Sequence, residues 1–351
     1  MSFSEEIVRW YRAHKRDLPW RQTRDAYVIW LSEIILQQTR VAQGLPYFER
    51  FLSHYPDVRA FAAAQEGEIL RHWQGLGYYS RARNMHKAAN HVVAHMDGIF
   101  PTSYEQLISL PGVGEYTAAA ISSFAAGEAR AVVDGNVFRV LSRYFGADTP
   151  VNSSKGKKLF QQMADDLLDP SNPAEHNQAL MEFGAMLCRP KKPDCAICPV
   201  SLGCEALRTG RVGELPIKLK SKPSANRFFN YFVVREADGL YLQQRTSGDI
   251  WENLYQLPLV ETASQISVEE LKSHPSVNEW FGERVRLIPL GSPVKHVLSH
   301  QNLHAQFYEV QESTDSPAKK ESWDYVLLKD LNKLAKPKLI YAFLTSYLNE
   351  N

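Results

Sequence analysis

Leu110-Pro-Gly-Val-Gly-Glu-Tyr-Thr117 is the stretch that decides the fold of this chain. Apolar residues recur at helical spacing on both sides of it, over 103–109 and 116–126. Gly112 and Gly114 permit a tight turn whose backbone N–H groups are free at the head of the second helix. Such a helix start attracts anions, phosphate among them. Gly112, Val113 and Gly114 are thus candidate contacts to an anion. Ala118, Ala119 and Ala120 let the second helix pack closely. A plain helix–helix turn has the same local features, so the rest of the chain must choose between them.

Moving outward, Ala131-Val-Val-Asp134-Gly-Asn-Val137 follows about one helix later. Asp134 stands where an N-cap belongs for a helix over 136–145, and a helix N-terminus would keep its carboxylate ionised. Glu33 is more unusual, because it interrupts Tyr-Val-Ile-Trp-Leu-Ser-Glu-Ile-Ile-Leu, a run apolar on every face. A carboxyl buried there must be paired, neutral or functional, and Arg16 or Arg21 could pair it. Burial would also raise its pKa toward that of a general acid. One neutral and one ionised carboxyl is the pattern that breaks glycosidic bonds.

All 4 cysteines fall in one short loop, Cys188-x6-Cys195-x2-Cys198-x5-Cys204. Four thiolates hold either zinc or a [4Fe–4S] cluster. A single tight pair flanked by wider gaps suits the cluster better than the two knuckles of a zinc site. Disulfides are disfavoured in a reducing compartment. From Arg189 to Lys222 there are eight bases against Asp194, Glu205 and Glu214, so 8 − 3 = +5, a candidate footprint for phosphates.

Across its 351 residues the chain carries a formal charge of +1 and is 44% hydrophobic, the balance of a globular protein of two domains. Extensive disorder, a fibre and a membrane span are excluded. The N-terminus lacks a secretory signal, so the expected location is cytoplasmic. Helices are expected at 4–14, 26–41, 46–55, 66–73, 83–95, 103–109, 116–126, 136–145, 155–168 and 174–187. A Gly-, Pro-, Ser- and Lys-rich linker spans 208–226. Beyond it the period changes to that of strands, beginning with a hairpin turning at Asp238-Gly239. The expected architecture is a mainly α domain over 1–207 with its Cys loop at 188–204, and a smaller α+β domain over 227–351.

Leu18-Pro-Trp-Arg21, Trp30-Leu-Ser-Glu33-Ile-Ile-Leu-Gln-Gln-Thr39, Gly75-Leu-Gly-Tyr-Tyr-Ser-Arg-Ala-Arg-Asn84, the Leu110 hairpin, Asp134-Gly-Asn-Val137 and the cysteine loop stand in this order. Together they resemble the MutY family, adenine DNA glycosylases of the helix-hairpin-helix, endonuclease III-like superfamily. The likeness runs from about residue 18 to residue 204. The second domain resembles the MutT/Nudix-like C-terminal domain of the same family. The resemblance implies a two-lobed helix-hairpin-helix fold with a [4Fe–4S] cluster on Cys188, Cys195, Cys198 and Cys204. It implies excision of adenine opposite 8-oxoguanine, or opposite guanine, from double-stranded DNA by a monomer. Glu33 then matches the acid that protonates adenine, and Asp134 the carboxylate that steadies the sugar cation. Tyr116 and Asn136 match residues that support that centre. Trp20, Arg21, Leu36 and Gln178 match the adenine pocket, Gln38 and Tyr78 the wedge that fills the vacated stack, and Thr39 and Leu76 contacts to the opposite lesion. Ser299 and His300, in His296-Val-Leu-Ser-His300, match the loop that reads 8-oxoguanine.

Endonuclease III has a lysine where Tyr116 stands, and that amine cleaves the strand through a Schiff base. Tyrosine cannot, so a monofunctional enzyme is expected, against the alternatives of a glycosylase/lyase or a lesion binder without chemistry. A Nudix hydrolase would need a glutamate-dense helix to bind Mg²⁺, and Ser267-Val-Glu-Glu-Leu lacks that form.

Overall fold

A computed structural model describes residues 2–220, 223–311 and 322–350. The chain divides into two units, one of Met1–Ala63 with Asn84–Ser221 and one of Ala64–Arg83 with Lys222–Asn351. Ala64–Arg83 thus packs with the C-terminal half, although its sequence places it among the helices of the first domain.

The helices run α1 Phe3–His14, α2 Ala26–Ile35, α3 Val41–His54, α4 Val58–Ala63, α5 Glu66–Trp73, α6 Ser80–His95, α7 Tyr104–Leu107, α8 Glu115–Ala126, α9 Gly135–Phe145, α10 Ser154–Leu167, α11 Pro173–Met186 and α12 Glu205–Arg208. Local chemistry explains the starts. Ser2 and Glu5 close a capping box on α1, while Asp25, Asp134 and Ser153 accept from the first-turn N–H groups of α2, α9 and α10. Gly127 and Gly146, both left-handed, end α8 and α9. One core of this unit joins Ile7, Tyr11, Val137, Leu141, Phe160 and Phe183. Elsewhere in it Trp30, Phe51, Phe61 and Phe100 form a chain of ring contacts.

Two expected helix boundaries are off by five residues or more, α6 starts three residues before the expected 83, and α4 has no expected counterpart. α2 stops at Ile35, and Gln38 enters the left-handed region at φ 56°. α3 then begins at Val41 and contains Pro46, which the sequence places at a helix start. Proline there forfeits one backbone bond but does not end the helix, and Arg40 offers no side-chain cap to reveal the true start.

In the second unit, β1 (Ala225–Val233) is flanked by β5 (Leu259–Thr262), antiparallel, and β7 (Gln301–Gln311), parallel, with β6 (Arg286–Val297) beyond β7. A second sheet joins β2 (Arg235–Glu236), β3 (Gly239–Gln244), β4 (Tyr255–Gln256) and β8 (Trp323–Leu327). The β2–β3 register pairs Glu236 with Gly239, so the turn is Ala237-Asp238 and not Asp238-Gly239; Ala237 takes the left-handed φ of 48°. From Phe229 to Val233, β1 is buried on both faces. Phe229, Tyr231 and Val233 meet Leu339, Ile340 and Leu344 of α15 (Lys338–Glu350). Phe232 meets Leu271 of α13 (Val268–Lys272) and Val277 and Phe281 of α14 (Pro275–Phe281). Within this unit Tyr79 donates to the Lys336 carbonyl at 3.0 Å, Gln74 accepts from the Lys336 N–H at 3.1 Å, and Asn253 donates to Glu66 at 2.6 Å. No helix among the described residues is long and apolar enough to cross a membrane.

Candidate active site

Glu33 lies in α2, where nine of ten residues are buried, and is itself 8% exposed. Arg16 and Arg21 do not pair with it; both go to Glu182 of α11. The partner of Glu33 is Tyr116, near the start of α8, whose hydroxyl donates to Glu33 Oε2 at 2.7 Å. Burial pushes the Glu33 carboxyl up to about 7, with Asp134 adding to the rise and Tyr116 and Arg21 opposing it. Burial and the two nearby acids hold the Tyr116 phenol well above its ordinary range, so it stays a neutral donor.

Asp134 caps α9. Its Oδ1 accepts from the N–H groups of Asn136 and Val137, each at 2.8 Å, and its Oδ2 from Asn136 Nδ2 at 2.7 Å. Burial still lifts its pKa above the ordinary value, while these three bonds and Arg139 restrain the rise. Asn136 is aimed by Arg139, which donates to Asn136 Oδ1 at 2.8 Å and also to the carbonyls of Gly184 and Cys188. Arg139 carried no signal in sequence beyond its helical spacing from Asp134.

These groups face one cavity of about 670 Å³. It gathers Glu33, Asp134, Tyr116 and Asn136, all of Trp20, Arg21, Leu36 and Gln178, and also Gln38 and Thr39. A nucleobase fits such a volume with room to spare. Trp20 is fixed edge-on against Phe48, with centroids 5.1 Å apart, and Gln178 Oε1 accepts from Tyr11 at 2.7 Å. Gln37, Met181, Phe124 and Glu182, which the sequence did not single out, are among the other residues of the wall. Gln37 also donates to Thr117 at 3.2 Å, which ties the end of α2 to α8.

In the hairpin, Gly112 has φ 77°, and a Cβ on it would lie 2.6 Å from the Cβ of Asn84, so glycine is required there. Gly114 is the N-cap of α8 in extended conformation, and a Cβ would meet nothing within 4 Å. Its use is the open approach it leaves, not a left-handed backbone. Val113 is buried.

Leu76, Tyr78, Ser299 and His300 belong to the second unit. Leu76 is buried, while Tyr78 is 46% exposed with φ 47° and hydrogen-bonds through its hydroxyl to Ser299 Oγ. Ser299 and His300 form the turn from β6 to β7, closed by the Leu298 N–H on the Gln301 carbonyl at 2.8 Å. Gln38 and Tyr78 both take the left-handed backbone that side chains seldom adopt, as do Asp97, Lys192, Ala237, Trp251 and Asn253. In α13, Glu270 is engaged in a capping box with Ser267.

The four cysteines are free thiols around one space walled by Val140, Phe183 and Leu187. Arg143 donates to Cys188 Sγ at 3.4 Å. Four thiols converging from one loop, with a guanidinium N–H on sulfur, fit the donor set of an iron–sulfur cluster. Among the described residues, no three His, Cys, Asp or Glu close on a single metal ion. Of the basic loop, Arg189, Arg208 and Arg211 pair locally with Asp194, Glu205 and Glu214, and Lys222 lies outside the described residues.

Residues 31–165 match the model of the HhH-GPD superfamily of base excision DNA repair proteins, and residues 230–346 match that of the NUDIX domain. The adenine DNA glycosylase of Buchnera aphidicola subsp. Acyrthosiphon pisum is 33% identical over 73% of this chain and 73% of its own. That of Mus musculus is 32% identical over 88% of this chain and 70% of its own. Among solved structures, a thermostable thymine-DNA glycosylase aligns with a TM-score of 0.55 and 32% identity, over 59% of this chain and 95% of that one. A non-covalent endonuclease III–DNA complex shares the fold at a TM-score of 0.52 and 20% identity, over 59% and 94%. With its buried acid, capped aspartate and hairpin set on that fold, the chain belongs to the adenine DNA glycosylase family of the helix-hairpin-helix base-excision repair superfamily.

Proposed function

We propose that this chain is a monofunctional glycosylase that removes adenine from duplex DNA, opposite 8-oxoguanine and, more slowly, opposite guanine. The observation that carries the proposal is the pair of carboxyls in one cavity, Glu33 buried and raised to about 7, Asp134 capped by three hydrogen bonds. The Glu33 carboxyl gives its proton to adenine N7. The C1′–N9 bond then breaks with both electrons leaving on the base, which departs neutral. Asp134, ionised at the head of α9, steadies the oxocarbenium-like sugar. Water adds to C1′, and its proton returns to Glu33. Tyr116 supplies a neutral hydrogen bond and no amine, so the strand stays intact.

Bringing adenine to the cavity requires flipping it, at a cost of a few kcal/mol. In the first unit exposed Gln38 is suited to fill the gap, Thr39 to contact the opposite base and Gly112 to Gly114 to hold a phosphate; in the second unit exposed Tyr78 offers a ring on which a base can stack, whereas Leu76 is buried. Ser299 and His300 supply the polar groups that would read 8-oxoguanine. Cys188, Cys195, Cys198 and Cys204 would hold a [4Fe–4S] cluster that braces the basic loop.

Single-turnover base release from duplexes with adenine, cytosine or thymine opposite 8-oxoguanine or guanine tests the reading. Only adenine should be released, fastest opposite 8-oxoguanine, without strand scission. Release of a pyrimidine, or spontaneous scission, would contradict it.

A further inference from the structure

Glu182 is an acid that the mechanism above does not use. It sits in α11 at the wall of the base cavity and is 1% exposed. Its Oε1 accepts from the Arg16 backbone N–H at 3.0 Å and from Arg16 Nε at 2.7 Å. Its Oε2 accepts from Arg16 Nη2 at 2.5 Å and from Arg21 Nη2 at 2.8 Å. Arg21 also donates to the Arg16 carbonyl at 3.1 Å, and its guanidinium lies 5.6 Å from the centroid of the Tyr11 ring. Tyr11 in turn holds Gln178. One buried carboxylate therefore fixes two cations, one of which, Arg21, lies over the Tyr11 ring.

A carboxylate so placed has two effects on the cavity. It locks each guanidinium in a fork geometry that an unpartnered arginine would not keep. It also offsets positive charge beside Glu33, since Arg21 already works against protonation of Glu33. The groups that face Glu33 are Tyr116 from α8, Asp134 from the head of α9 and Arg21. Those around Glu182 and Arg21 are Arg16, Tyr11 and, beyond Tyr11, Lys15 over its ring and Glu175 with its partner Arg12. Burial drives the Glu182 carboxyl upward, but the hydrogen bonds from Arg16 and Arg21 bring it down to about 2, so it is ionised throughout the working range.

We infer that Glu182 is a positioning residue for base excision, holding Arg16 and Arg21 in the wall of the base cavity and cancelling their charge beside Glu33. The inference rests on Glu33 as the proton donor. It does not require Glu182 to touch the base.

The test uses the full chain and its Glu182→Gln and Glu182→Asp variants in single-turnover release of adenine opposite 8-oxoguanine across the pH range. Duplex affinity is measured in parallel with a 2′-fluorinated adenosine that resists cleavage. Glu182→Gln should slow release by about tenfold or more at neutral pH, with duplex Kd changed by less than about twofold, and lose activity at a lower pH than the parent. Glu182→Asp keeps the charge but not the fork, and should slow release without moving that pH. Parental rates in both variants would overturn the inference. So would a rate loss matched by an equal loss of affinity, with the pH dependence unmoved in Glu182→Gln. Should Glu182→Gln not fold, Glu182→Asp decides alone, parental rate with a normal melting curve being the contrary result. Normal excision by Glu33→Gln would instead reject the proton-donor reading, which separates the two failures.

Discussion

At the scale of single residues, the role proposed for Glu33 is set against stability. Its carboxyl titrates near 4.5 when free and near 7 in the fold, so the native chain binds this proton more tightly than the unfolded one. The fold accordingly loses stability as pH rises from about 4.5 to about 7, and the deficit stays constant above that. Glu33→Gln should be more stable than the parent at about pH 8 by on the order of 2 kcal/mol, and no more stable at about pH 4, as read by thermal melts. Tyr116→Lys places an amine where the phenol stood beside both acids, and should produce strand cleavage that borohydride traps as a covalent adduct. Absence of an adduct in a variant that still releases adenine would contradict the geometry. Glu33 was legible because a charge in an all-apolar helix is rare. Glu182, in Leu180-Met-Glu-Phe183, carries the same sign but reads as an ordinary helix position until Arg16 and Arg21 are seen to converge on it.

At the scale of elements, caps and breakers placed most helices to within a residue or two, because an N-cap is a local contract between a side chain and the next N–H groups. Where no side chain caps the helix, as at Arg40 before α3, the start was invisible and Pro46 misled. The hairpin followed its glycines only in part, since Gly112 alone takes a left-handed backbone. Gly112→Ala should cost about 1–2 kcal/mol and weaken duplex binding, whereas Gly114→Ala should leave the melting point nearly unchanged. In the cysteine loop, Cys198→Ser should lose iron and expose residues 188–204 to protease; full iron content would argue against the four-thiol ligand set.

At the scale of the whole molecule, the division of the chain into two units was legible as a change of period near residue 208, but the membership of Ala64–Arg83 was not. Its ties to Asn253, Glu252 and Lys336 span more than 160 residues of sequence, and no local pattern encodes such pairing. Truncation after Arg208 would strip this segment of those partners and should lower excision from both mispairs. The lesion-reading role proposed for Ser299 and His300 is tested by a double substitution, Ser299→Ala with His300→Ala. It should slow release opposite 8-oxoguanine by about tenfold while changing release opposite guanine by less than about threefold. Equal losses would remove that role.

The measurement that bears most directly on the account is the pH dependence of single-turnover adenine release by the parent and by Glu33→Gln. The parent should lose activity as pH rises past about 7, when the Glu33 carboxyl gives up its proton, and Glu33→Gln should bind the mispaired duplex yet release no adenine at any pH. A parent rate flat through that range, or excision by Glu33→Gln, would contradict a proton delivered from this buried acid.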